Sequence, residues 1–281
     1  MTKKFQTWEQ AVQWLRQQPD QQELVLAAYY DDPLIEAAER YRSSEEWAEI
    51  RQFLPVNRFR ALDVGAGRGI ASYALACEGF SEVVALEPDK SEIVGAAAIR
   101  SLAQKTTLPI CVIEKFSERL PYESNSFDVV FARAVLHHIK DLDAACSEFY
   151  RVLRPGGKLI AVREHVISRQ EDLPQFLDEH PLHKFYGGEN AFLLKQYERS
   201  ILEAGFHSLI RVAPLNSAIN FSPYSLKSLQ RKVAEGVARN NLVTALFVEK
   251  ALALFWPILR PLLNAIDNRP GRLYSFIAEK G

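Results

Sequence analysis

The chain has 281 residues, 48% of them hydrophobic and 25% charged, enough to bury a substantial core in one large α/β domain or in one domain with helical additions. Its 34 basic and 35 acidic residues leave a formal net charge of −1, so no global field recruits nucleic acid, which is not an expected partner. Cys77, Cys111 and Cys146 lie in apolar patterns without metal-ligand spacing and are expected as buried thiols in a reducing cytoplasm, not as a disulfide framework.

Residues 1–10 carry lysines but no apolar leader core, so export is not expected and the predicted location is cytoplasmic. Residues 5–54 read as helices: Trp8, Val12 and Leu15 fall on one face, and residues 24–30 and 34–53 follow with few breakers. They form the predicted helical N-terminal cap, residues 1–56. Strands are then expected at 59–64, 83–87, 110–113, 127–132, 158–163 and 206–212 with helices between them. That alternation implies a doubly wound, mostly parallel sheet covered on both faces.

Asp141 is placed to cap a helix whose stripe is Leu142, Ala145, Cys146, Phe149, Val152 and Leu153, ended by Pro155-Gly156-Gly157. Asn190 is expected to cap a helix over 191–204, with Gly205 as its stop. Residues 224–239 are mixed in charge and predicted helical. Leu242 to Ile266 is strongly apolar, but Glu249 and Lys250 interrupt it and Pro257, Arg260 and Pro261 follow, which argues against a transmembrane span. A helical subdomain packed on the sheet or the cap is expected there, with a dimer face or a peripheral membrane contact as alternatives. Residues 272–279 have strand character.

The densest signal is Asp63-Val64-Gly65-Ala66-Gly67-Arg68-Gly69, three glycines at alternate positions directly after the first strand. Glycine admits positive φ and close backbone approach, which suits a tight strand-to-helix turn around a flat polar ligand. Ile70 stands where a dinucleotide fingerprint has its third glycine, which disfavours a nicotinamide dehydrogenase. The acid-x-Gly-x-Gly-x-Gly form is similar to the first motif of class I S-adenosylmethionine-dependent methyltransferases. Later segments resemble that family in the same order, over about residues 55–213 and the last strand.

The resemblance implies S-adenosyl-L-methionine as cofactor and a seven-stranded Rossmann-like sheet whose last strand is antiparallel. It divides the chain into a core over 57–214, a helical insertion over 215–270 and a final core strand over 271–281. It places Asp63, Gly65, Ala66, Gly67 and Gly69 at the cofactor, Glu87 on the ribose diol before Pro88, and Phe116 and Ser117 beside the adenine. Phe116 replaces the aspartate common in the family, so ring stacking replaces that hydrogen bond. Ala132 ends the fourth strand at the same crevice.

Five of the six histidines lie between positions 137 and 183. Methyl transfer to a hydroxyl needs positioning and a base, and a neutral histidine suits the latter. The order of preference is His165, then His183, His180 and His138. No metal is expected, since a His-x-x-His pair in a loop does not specify one. A set of His165, His180 and His183 with Glu164 or Glu189 is the alternative. The expected function is methyl transfer to oxygen of a small or medium-sized acceptor, glycan-like or lipid-like. A non-catalytic cofactor-binding or interaction protein on the same fold is the rival.

Overall fold

The computed structural model describes residues 4–238 and 241–281. Residues 1–3, within the stretch read for a leader, and residue 239, at the end of the predicted helix 224–239, lie outside the described residues. Helices α1 (Trp8–Arg16), α2 (Gln22–Ala27), α3 (Leu34–Arg42) and α4 (Glu45–Ile50) precede the sheet. The expected run over 34–53 is broken after Arg42, because Ser44 leaves the helix to accept from the Trp47 amide and start α4.

The core follows as β1 (Arg60–Val64), α5 (Ile70–Cys77), β2 (Glu82–Leu86), α6 (Ala96–Thr106), β3 (Ile110–Ile113), β4 (Phe127–Arg133), α7 (Leu142–Val152) and β5 (Leu153–Ile167). Next come α8 (Leu173–Glu179), β6 (Phe192–Leu193), α9 (Leu194–Glu203), β7 (Ser208–Val212), α10 (Ala218–Phe221), α11 (Leu226–Ala238), α12 (Leu242–Ile266) and β8 (Arg272–Glu279). The strand order is β3-β2-β1-β4-β5-β8-β7, with β6 on β5. β8 runs antiparallel between β5 and β7, as the resemblance implied for a last strand, and β6 raises the count to eight.

Alternation along the strands explains the two layers. Leu62, Val64, Val130 and Ala132 face one side, where Cys146 and Phe149 of α7 and Tyr197 and Ile201 of α9 cover them. Ala61, Val129 and Phe131 face the other, under Tyr41, Trp47 and Ile50 of the N-terminal helices and Ala74 and Leu75 of α5. The α11–α12 pair instead closes a small core of its own around Leu215, Ala234, Leu252 and Trp256. Among the described residues, no helix is long and apolar enough to cross a membrane.

Several expectations are corrected. Asn190 does not cap α9: residues 192–193 pair with β5, α9 starts at Leu194, and the Gln196 side chain accepts from the Leu193 amide. β5 begins at Leu153 and runs through Pro155-Gly156-Gly157, and Glu164 and His165 lie inside it rather than after it. An irregularity between Ala161 and Glu164, with Arg163 at φ +63°, lets the strand resume pairing with β8. Cys77 and Cys111 are exposed, at a helix end and on an edge strand, and Cys146 alone is buried.

Candidate active site

The carboxyl ends of β1, β2 and β4 open into a crevice, as parallel sheets require of a topological switch point. Two cavities fill it and share Gly65 and Ala134. The larger, about 610 Å³, is lined by Val64, Leu86, Glu87, Pro88, Phe116, Ser117, Val135 and His138 among others. The smaller, about 180 Å³, is bounded by Tyr29, Asp63, Ala66, Gly67, Arg68 and Arg133 among others. Ala134 divides them with φ +56°, a left-handed conformation that costs an alanine about 1–2 kcal/mol.

Two carboxylates stand at the floor. Asp63 is fully buried and accepts from the Ser72 hydroxyl at 2.6 Å. Glu87 accepts from the amides of Gly67 at 2.7 Å and Asp89 at 2.8 Å, so it clasps the glycine turn to the end of β2. Burial pushes each carboxyl up to about 7, against the hydrogen bonds that favour ionisation. Gly65 is required for packing, because a Cβ there would sit 2.7 Å from Val135. Gly67, at φ +54°, would direct a Cβ into open space.

The N-terminal helices are fastened over the smaller cavity by the turn itself. Arg68 donates to the Tyr29 and Asp31 carbonyls at 2.9 and 2.8 Å and to the Asp32 carboxylate. Arg133 forms a two-pronged pair with buried Glu46 of α4, at 2.6 and 3.1 Å.

Beyond the larger cavity lies a histidine cluster. His137, fully buried, donates Nδ1–H to Glu164 at 2.7 Å, and Glu164 also accepts from the amides of Val135 and His137, each at 3.1 Å. His138 donates Nδ1–H to the Gly188 carbonyl and His165 donates Nδ1–H to the Gly271 carbonyl, each at 2.9 Å. Glu189 faces His137, His138 and His180 at 3.6, 3.7 and 3.9 Å. Burial alone would lower His137, but the hydrogen bond and charge of Glu164 raise it to about 9. Burial and then the His137 charge push His165 down to about 3. Burial would raise Glu189, yet the neighbouring imidazoles, His137 foremost, hold it at about 2.

Of the residues singled out in the sequence, Gly65, Glu87, Pro88, Phe116, Ser117 and His138 line the larger cavity, and Asp63, Gly65, Ala66 and Gly67 the smaller. Two of the residues assigned to the cofactor do not reach it. Gly69 starts α5 at φ +83° against Ile99, and Ala132 is buried in the sheet two residues short of Ala134. His165 and His180 pack ring to ring, 5.1 Å between centroids, behind the cavity wall. His183 meets the cluster by donating its amide to His180 Nδ1. The sequence reading gave no individual site role to Arg68, Arg133, Ala134 or His137, and raised Tyr29 only as part of a cap segment that could close over the cofactor. The doubled His137-His138 after β4 was the available signal for His137.

Residues 62–161 match the model of the family described as "Methyltransferase domain". A tRNA U34 carboxymethyltransferase of Methylococcus capsulatus is 31% identical over 121 residues, 43% of this chain and 37% of that protein. The ubiquinone/menaquinone biosynthesis C-methyltransferase UbiE of Rhizobium rhizogenes is 30% identical over 37% of this chain and 41% of its own. The chain thus spans about two fifths of the length of these curated relatives. A putative sarcosine dimethylglycine methyltransferase from Galdieria sulphuraria superposes with a TM-score of 0.57 at 17% identity, covering 90% of each chain, a likeness of fold.

Proposed function

This chain carries a class I S-adenosylmethionine-dependent methyltransferase domain, and from that premise we propose that the protein methylates oxygen on a small or medium-sized acceptor, with His138 as the base. The observation that carries the reading is the pair of cavities meeting at Gly65 and Ala134, one mainly apolar with a single buried carboxylate, the other polar and roofed by Tyr29. Their groups suit the parts of the cofactor. Glu87 supplies acceptor oxygens for a ribose diol, the exposed Phe116 ring a face for adenine, and Asp63, Gly67 and Arg133 a polar end for an amino acid. When bound, S-adenosylmethionine supplies a methyl group on a positively charged sulfur, which an acceptor displaces in line.

Among the four histidines considered, His138 lines the cavity. Its Nδ1–H is held by the Gly188 carbonyl, so Nε2 keeps the lone pair that takes a hydroxyl proton. His165, His180 and His183 do not line the cavity and support a role behind it. The acceptors named for the relatives belong to chains this one matches over about two fifths of their length, and a net charge of −1 gives no field for a polyanion.

The test is transfer of an isotope-labelled methyl group from S-adenosylmethionine to a panel of phenols, sugars, hydroxy acids, amines, quinols and bulk tRNA. Labelled O-methyl products, formed about 100-fold more slowly or worse by His138→Ala, are expected. Label found only on carbon, nitrogen or tRNA, or an undiminished His138→Ala rate, overturns the reading.

A further inference from the structure

We infer that His137, His165 and Glu189 form a binding site for one divalent transition-metal ion of the zinc type, set directly behind the larger cavity. One ligand atom from each of the three lies within 4.8 Å of the others. Donors about 2.1 Å from one ion at a tetrahedral angle stand roughly 3.4 Å apart. The 3.6 Å between His137 Nε2 and Glu189 is close to that spacing and too long for a good hydrogen bond.

The orientation of the imidazoles is the stronger argument. His137 hands Nδ1–H to a carboxylate and His165 hands it to a backbone carbonyl, acceptors that can only receive a proton. Each ring therefore turns Nε2 toward the centre of the cluster, the outer-shell arrangement that fixes metal-ligating histidines. His138 is anchored in the same way on Gly188, and its Nε2 faces Glu189 at 3.7 Å.

Charge balance points the same way. Glu164 is fully buried and Glu189 half-buried, and among the described residues the side chains paired with these two carboxylates are imidazoles, none a lysine or arginine, so a bound cation would replace imidazole protons as their counter-charge. The ligands come from three separate pieces of chain: the turn after β4, the interior of β5 and the loop after α8. Loop 180–190 is itself tied to the N-terminal helices through Phe185, which packs with Ala11, Leu15 and Val25. A fixed set of two imidazoles and one carboxylate suits zinc, iron(II) or cobalt(II) rather than magnesium or calcium, which prefer all-oxygen shells. Three protein ligands leave a fourth position open. His138 is the residue shared with the cavity wall, so an acceptor oxygen is the ligand that position would receive, a point that rests on the reading proposed above.

The ion itself is tested without any turnover. The full chain is stripped with a chelator and titrated with Zn2+, Co2+, Mn2+ and Mg2+, in competition with a chromophoric chelator and by calorimetry. One Zn2+ per chain is expected, bound more tightly than Mn2+, with no saturable Mg2+ binding and visible d–d absorption for the Co2+ form. Glu189→Gln should weaken Zn2+ by at least 10-fold, His165→Ala by at least 100-fold and the supporting Glu164→Gln by 10–100-fold. His207→Ala, remote from the cluster, should leave it unchanged. Glu164 is fully buried, so Glu189→Gln, at a partly accessible position, carries the test if Glu164→Gln does not fold; circular dichroism melting checks each variant. No saturable Zn2+ or Co2+ binding by folded wild type, or affinity lost in His207→Ala but kept in Glu189→Gln and His165→Ala, overturns the proposal. Metal binding with no methyl transfer would sink the function proposed above and leave this site standing.

Discussion

Asp63 and Glu87 on one side of the crevice and Glu164 and Glu189 on the other are four carboxylates, the first three buried and Glu189 half-buried, in opposite circumstances. Among the described residues, the first two take hydrogen bonds from a hydroxyl and backbone amides, and burial raises both to about 7. The second two are bracketed by imidazoles, and Glu189 is held near 2. The difference teaches what burial is for in each place. A carboxylate without a permanent counter-charge is poised for a polar ligand to complete its shell, whereas one enclosed by histidines is part of the frame.

The comparison is broken most forcefully at Glu164. Glu164→Ala strands a buried His137 ring and two backbone amides, and should cost about 3–5 kcal/mol in denaturant unfolding. A loss below about 1 kcal/mol would show that the cluster is not frame.

Glu87 should respond in the opposite sense, through pH. Its folded pKa of about 7 exceeds the unfolded value, so between about 4.5 and 7 the native state binds more protons than the unfolded state. Stability therefore falls as pH rises through that window. Glu87→Gln removes this term, so its stability should gain about 3 kcal/mol on wild type between pH 4.5 and 8, read as the difference between two urea series. Equal slopes in both proteins would contradict it.

Removing Arg68 tests the roof. Arg68→Ala deletes hydrogen bonds to Tyr29, Asp31 and Asp32, and should weaken cofactor binding by about 1–2 kcal/mol while speeding hydrogen exchange in α2 and α3. The smallest effect is expected at Phe116, 71% exposed at the cavity mouth. Phe116→Ala should cost about 1 kcal/mol of cofactor affinity by calorimetry and under about 0.5 kcal/mol of stability.

The glycine-turn side of the crevice was legible in the sequence because its information is local. Glycines at alternate positions after a buried strand, an acid at the end of β2 and an Asp141 cap that accepts from the Ala144 amide are each set within a few residues. Register at the end of β4 was less so, and the cavity wall is Ala134, where Ala132 was expected, because the strand continues through Arg133 before the chain turns. The histidine side was half legible. Clustering along the chain marked the region, but the set around Glu189 depends on β5 continuing past an irregularity and on a loop pinned by Phe185, both settled by tertiary pairing. Cys111 was misjudged for the same reason: its apolar neighbours suit a strand, and only the strand order reveals an edge.

The most direct test of the central claim, that the crevice between β1, β2 and β4 holds S-adenosylmethionine, is calorimetric titration of the full chain with S-adenosylmethionine and S-adenosylhomocysteine, repeated on Glu87→Ala. Saturable binding of both at one per chain, weakened at least 30-fold in the variant, is the predicted result. No binding by folded wild type, or binding indifferent to Glu87, would contradict the account.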